Sequence, residues 1–223
     1  MGIPFEQRNF QKELDKKIAG FQKDGIVPTL LLHSCCAPCS SHCIEYLSDY
    51  FHITVFYYNP NISAEEEYRK RVEEQKRFIS EFPAKYKVSF IEGDYDTKEF
   101  YDIAKGYEQC REGGERCFRC YELRLKKTCE TAKAGGFDYF TTTLTISPLK
   151  NSVKLNEIGL KLSEEYDMPY LLSDFKYRYL IIVIIKTICY NLSVNGDGTH
   201  NKKQLYIICT GDDTHRKKHY CSR

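Results

Sequence analysis

Up to about residue 175, apolar and polar positions switch between a helical and a strand-like spacing. Residues 5–23 place apolar side chains at helical intervals among many charges, which predicts a surface helix. Residues 28–33 (Pro-Thr-Leu-Leu-Leu-His) are an apolar run of strand length. The loop Ser34-Cys35-Cys36-Ala37-Pro38-Cys39-Ser40 follows at once, and helical spacing returns over 42–51. Strand, tight loop and helix make the first half of a βαβ unit. A second strand is predicted over 52–58, closed by the turn Asn59-Pro60-Asn61. Ser63 can then cap a helix reaching about residue 82, with Glu66 completing a capping box. A third strand is predicted over 86–92, ending in Gly93-Asp94-Tyr95-Asp96 with another helix behind it. Gly113-Gly114 leads into a helix over about 116–133, ended by Gly135-Gly136. The pattern closes with a fourth strand over 137–146, a helix opened by Ser147-Pro148 and running through 166, and a fifth strand beginning at 170–172.

This alternation predicts an α/β fold: a Rossmann-like, mainly parallel sheet with helices on both faces. Ligands of such sheets collect at the carboxyl ends of the strands, near the switch point. The Cys-Cys loop, Asn59-Pro60-Asn61 and Ser147-Pro148-Leu149-Lys150 all fall on that edge. The pattern divides the chain into an α/β metal-bearing domain over 1–175 and an atypical tail over 176–223. The tail has no Glu and no clear period, although Gly196-Asp197-Gly198 suits a hairpin turn and 205–209 a strand. A distinct subdomain, a disordered end and translation in a shifted frame are all compatible with that composition.

With 42% hydrophobic and 29% charged residues, the composition is that of an ordinary soluble globular protein. A net charge of +2 implies no nucleic-acid partner by itself, and a local basic face can hide inside it. The opening segment has no apolar core of a secretory signal, and no run approaches the roughly 20 apolar residues of a membrane span. A cytoplasmic location with no membrane partner is the expectation. Eleven cysteines in a reducing compartment point to metal or redox work rather than to a disulfide framework.

Cys35, Cys36 and Cys39 lie in one loop at a helix N-terminus, where unpaired N–H groups and the helix dipole favour thiolates. Cys117 and Cys120 form a C-x₂-C pair at the start of another helix, with Arg116, Arg119 and Arg124 around it. Brought together, Cys35, Cys36, Cys117 and Cys120 make four thiolates within reach of one iron–sulfur cluster. Zinc with four sulfurs competes for the same ligands, although structural zinc sites more often use two C-x₂-C knuckles. Cys43 and Cys129 read as buried small hydrophobes, and Cys110 as a spare thiol near the site. Cys189, Cys209 and Cys221 are isolated in the tail. His33 ends a buried strand and can orient the loop, whereas His42 and His52 read as surface residues. Asn59, Asn61, Tyr68, Arg69 and Lys150 are candidates for holding a polar or phosphate-bearing ligand. Turn chemistry for the asparagines and a solvated helix face for Arg69 are the plainer alternatives.

Four blocks in order carry a family resemblance. They are His33-Ser-Cys-Cys-Ala-Pro-Cys39, Tyr58-Asn-Pro-Asn-Ile62 with Glu67-Tyr-Arg69, Arg116-Cys-Phe-Arg-Cys-Tyr-Glu-Leu-Arg-Leu125 and Thr141-Thr-Thr-Leu-Thr-Ile-Ser-Pro-Leu-Lys-Asn151. Together with Asp174-Phe-Lys176, they resemble the QueH-type epoxyqueuosine reductases over about residues 30–175. The resemblance implies reduction of the epoxide of epoxyqueuosine, at the tRNA wobble position, to the alkene in the last step of queuosine synthesis. It also implies a [4Fe-4S] cluster on Cys35, Cys36, Cys117 and Cys120, an additional iron for which Cys39 is placed, tRNA as substrate and an unidentified electron donor. The family usually ends in an aromatic and basic stretch with a Cys-x-Cys pair, and no such pair follows Lys176. That departure places electron delivery and part of the tRNA contact in question for this chain.

Two rival classes remain. A nucleotide-dependent tRNA-modifying enzyme would need a Ser-Gly-Gly-x-Asp-Ser type phosphate loop where this chain has Cys-Cys-Ala-Pro-Cys. A zinc-stabilised RNA-binding module would need a more basic chain with exposed aromatics.

Overall fold

The computed structural model describes residues 4–176. The tail's hairpin, strand and three cysteines lie outside the described residues. Helix α1 (Phe10–Asp24) is opened by Asn9, whose side chain accepts the Lys12 N–H, and closed by Gly25 at φ 67°. A left-handed residue at that position is where glycine is favoured, because it lacks a Cβ.

Four parallel strands follow: β1 (Thr29–His33), β2 (His52–Tyr57), β3 (Ser89–Glu92) and β4 (Tyr139–Thr142), in the order β3-β2-β1-β4. Leu31 sits beside Thr54 on one side and Phe140 on the other. Because side chains alternate across a strand, β1 serves two cores. Leu30 and Leu32 pack with Leu14, Ile18, Ile44 and Leu47 from α1 and α2 (Ala37–Leu47). Leu31 packs on the other face with Leu125, Cys129, Leu155 and Leu162 from α5 (Glu115–Ala134) and α6 (Ser152–Tyr166). The remaining helices are α3 (Glu65–Glu81) and α4 (Thr97–Ala104). The α/β class, with a parallel sheet and helices on both faces, is therefore as expected. Both Cys43 and Cys129 are fully buried in these cores.

Several boundaries differ from the sequence reading. Helix α2 starts inside the cysteine loop, at Ala37, because Cys36 takes the extended N-cap conformation and Pro38 fits the first turn. Ser63 does not cap α3; Ala64 is the N-cap and makes no side-chain cap bond. The fourth strand stops at Thr142, whose hydroxyl accepts the Leu144 N–H at 3.1 Å and starts a 3-10 turn over Thr143–Ile146. Helix α6 is opened by Asn151, which accepts the Lys154 N–H at 3.0 Å, and not by Ser147. The fifth strand reduces to one parallel bridge between Phe140 and Tyr170. His42 is buried rather than exposed, since α2 begins early enough to turn it inward. Among the described residues no helix is long and apolar enough to cross a membrane.

Candidate metal centre

Strands β2 and β3 lie to one side of β1 and β4 to the other, so the connections diverge at the carboxyl ends of β1 and β4. That divergence is the switch point, where open α/β sheets bind ligands. His33 ends β1 and Thr142 ends β4, and His33 Nδ1 lies 2.9 Å from Thr142 Oγ1. The loop of Cys35, Cys36 and Cys39 springs from this point, and the Cys35 N–H reaches Thr143 Oγ1 at 3.4 Å.

The three sulfurs of Cys35, Cys36 and Cys39 all lie within 4.8 Å of one another. Cys35 Sγ and Cys36 Sγ are 3.8 Å apart. Two thiolates on one tetrahedral ion at about 2.3 Å would stand about 3.8 Å apart, so this trio suits a single soft metal as it stands. In a cubane cluster each cysteine holds its own iron, which asks for wider spacing and ligands from a second element.

Charge in the trio is concentrated on one sulfur. Hydrogen bonds from the Cys36 and Cys39 thiols, followed by the Arg124 charge and Thr143, hold the Cys35 thiol well below its usual pKa. The hydrogen bond with Cys35 pushes Cys36 up to about 12, and Cys39 is raised by its bonds to both neighbours. A helix N-terminus was expected to favour all the thiolates. Three sulfurs this close cannot all ionise without a cation between them, so one thiolate is shared by two thiols.

Cys117 and Cys120 stand on the first turns of α5, whose N-cap is Gly114. The Gly113 N–H donates to Cys117 Sγ at 3.3 Å. Cys120 is buried, and burial raises its thiol while Arg124 and Lys150 act in the opposite sense. Four residues beyond Cys120, on the same helix face, comes Arg124. It is only 3% exposed, and its guanidinium donates to Asn59 Oδ1 and lies 3.3 Å from His33 Nε2. Asn59 in turn donates from Nδ2 to the Ser34 carbonyl at 2.9 Å. Burial, then the guanidinium beside it, push the His33 imidazole down to about 3, which keeps the ring neutral.

The other sequence candidates fall in different settings. Tyr68 is fully buried, stacked on Tyr95 and bonded to the Gly93 carbonyl at 3.4 Å. Arg69 is exposed and paired with Glu65 and Glu92. Asn61 is exposed, and Lys150 is half-buried beside Cys120. Of the three arginines flanking the C-x₂-C, only Arg124 turns inward; Arg116 donates to the Glu108 carbonyl and Arg119 lies over the Tyr107 ring. Cys110 is half-buried on the loop before α5. Sequence reasoning missed Gln75, a fully buried amide on the most charged helix, which no local signal marks.

The family profile described as "Epoxyqueuosine reductase QueH" matches residues 30–188. The chain belongs to the QueH family. QueH proteins are oxidoreductases by name, and this chain is one of them. The epoxyqueuosine reductase QueH of Streptococcus pyogenes serotype M1 is 41% identical over 175 residues, 78% of this chain and 69% of that protein. The protein of that name from Staphylococcus epidermidis is 41% identical over 172 residues, covering 75% of this chain and 72% of its own. The one from Thermotoga maritima is 34% identical over 154 residues, covering 66% and 75%.

Proposed function

We propose that this chain reduces epoxyqueuosine to queuosine at the wobble position of tRNA, using a [4Fe-4S] cluster held by Cys35, Cys36, Cys117 and Cys120, with Cys39 placed for an additional iron. The observation that supports this reading best is the family match over residues 30–188, which contains every one of these cysteines. Their setting agrees with it: the loop cysteines stand at the switch point, and Arg124 bears on Cys35 and Cys120 alike.

In the reaction both C–O bonds of the epoxide break, a C=C bond forms, and the oxygen leaves as water. The change consumes two electrons and two protons, the electrons coming from a donor still to be identified. A bound cluster would supply the electrons and an iron that polarises the departing oxygen. The chain's own residues set the stage for this. Asn59 ties the turn after β2 to the loop after β1. Thr142 and Thr143 anchor His33 and Cys35 to the end of β4. We assign Lys150, half-buried beside Cys120, and the exposed Asn61 to meeting a tRNA phosphate, while Arg69 would have to exchange its ion pairs with Glu65 and Glu92 to join them.

A single thiolate-bound ion is the second reading, favoured by the 4.8 Å trio. Anaerobic purification with an absorption spectrum and iron, sulfide and zinc analysis separates the two. A broad band near about 400 nm with roughly four irons, lost in Cys117→Ala, supports the cluster. Colourless protein with one zinc per chain overturns it. Reduction of epoxyqueuosine-containing tRNA by the brown protein, with a chemical reductant, then tests the reaction.

A further inference from the structure

Arg124 is a buried cation. Among the described residues it makes no ion pair with a carboxylate, and the side chains it meets are His33 and Asn59. A guanidinium withdrawn from water in this way requires a negative partner nearby. The groups within its reach that a bound metal would hold as thiolates are sulfurs. Cys120 is one turn earlier on the same face of α5, and Cys35 follows Ser34, whose carbonyl accepts from the Asn59 amide that Arg124 holds.

We infer that Arg124 is the fixed counter-charge of the metal centre, spanning its two cysteine groups and raising the reduction potential of the cluster they hold. The inference rests on the cluster reading above. A reduced cluster carries one more negative charge than an oxidised one, and a fixed cation in a low-dielectric setting favours the more negative state. Asn59 aims the guanidinium without neutralising it.

The test is a redox titration of the cluster-loaded protein, followed by electron paramagnetic resonance, in wild type, Arg124→Lys, Arg124→Gln and Asn59→Asp. At the wild-type midpoint the ratio of reduced to oxidised cluster is expected to fall about tenfold in Arg124→Gln, a downward shift of about 59 mV for one electron. Arg124→Lys keeps the charge and stays within about twofold of wild type. Asn59→Asp leaves Arg124 in place and gives it a carboxylate, so it should lower the midpoint as Arg124→Gln does. It therefore carries the test if Arg124→Gln does not fold. Clusters that form in the variants with an unmoved midpoint overturn the inference alone. Wild-type protein that takes up no cluster overturns the cluster reading, and this inference with it.

Discussion

Ser34 and Ser40, which bracket the segment from Cys35 to Cys39, donate to one and the same oxygen. Oε1 of Gln75 accepts from Ser34 Oγ at 2.9 Å and from Ser40 Oγ at 2.7 Å. A single amide from α3 thus pins both ends of the loop that carries three cysteines. The Gln75 amide nitrogen, also buried, has no hydrogen-bond partner among the described residues.

Gln75→Leu removes the shared acceptor. Ser40 can fall back on the Cys36 and Ala37 carbonyls, so the stability loss should be modest, about 1–3 kcal/mol in thermal or denaturant unfolding. Metal binding should suffer more, by about tenfold or more in a cobalt(II) titration followed through its thiolate charge-transfer band, because the loop loses its pinned geometry. Unchanged cobalt affinity would show that the loop holds its shape without Gln75.

Cys120 and Cys129 are both buried on α5, yet they should respond in opposite ways. Cys129 lies in the apolar core with its thiol 3.8 Å from the Leu162 carbonyl. Cys129→Ala is expected to keep its full metal content and lose roughly 1 kcal/mol through a small cavity. Cys120→Ala should lose the iron and little stability as metal-free protein. Iron analysis beside calorimetry reads both, and iron loss in Cys129→Ala would place the ligand set elsewhere.

Removing the metal should leave the fold standing. The cores on either face of the sheet are built from Leu, Ile, Val, Phe and Tyr of every helix packed there, without needing a ligated ion. Chelator-treated protein is expected to keep its far-ultraviolet circular dichroism while melting several degrees lower, since a ligand bound only by the native state adds to stability. Loss of helical signal on chelation would instead mark the metal as structural.

Gly159 tests the packing of α6. A Cβ added there would meet the Tyr170 ring at 2.4 Å, and that ring is buried against Phe140. Gly159→Ala should therefore destabilise by about 1–3 kcal/mol despite the better helix propensity of alanine. A rise in melting temperature would mean that Tyr170 moves freely.

Much of the fold was legible along the chain because local periodicity reports it. The four paired strands and the major helices follow from apolar spacing, whereas the caps Asn9 and Asp96 emerged only with the structure. Boundaries were less legible where two signals competed. Ser147-Pro148 looked like a helix start, but the hydroxyl of Thr142 had already turned the chain into a 3-10 segment, and α6 waited for Asn151. The cysteines were visible as motifs, whereas their supports were not.

Taken alone, the sequence determined the α/β class, the two cysteine groups and the family, because spacing and residue type are local properties of the chain. Only the tertiary structure decided which polar groups serve those cysteines. Gln75 lies 41 residues from Ser34, and Arg124 lies 65 from Asn59 and 91 from His33. Contacts across such separations exist only once parallel strands bring their carboxyl ends to one edge. Burial at that edge is what turns an ordinary glutamine into a clamp and an ordinary arginine into a charge with no carboxylate partner among the described residues.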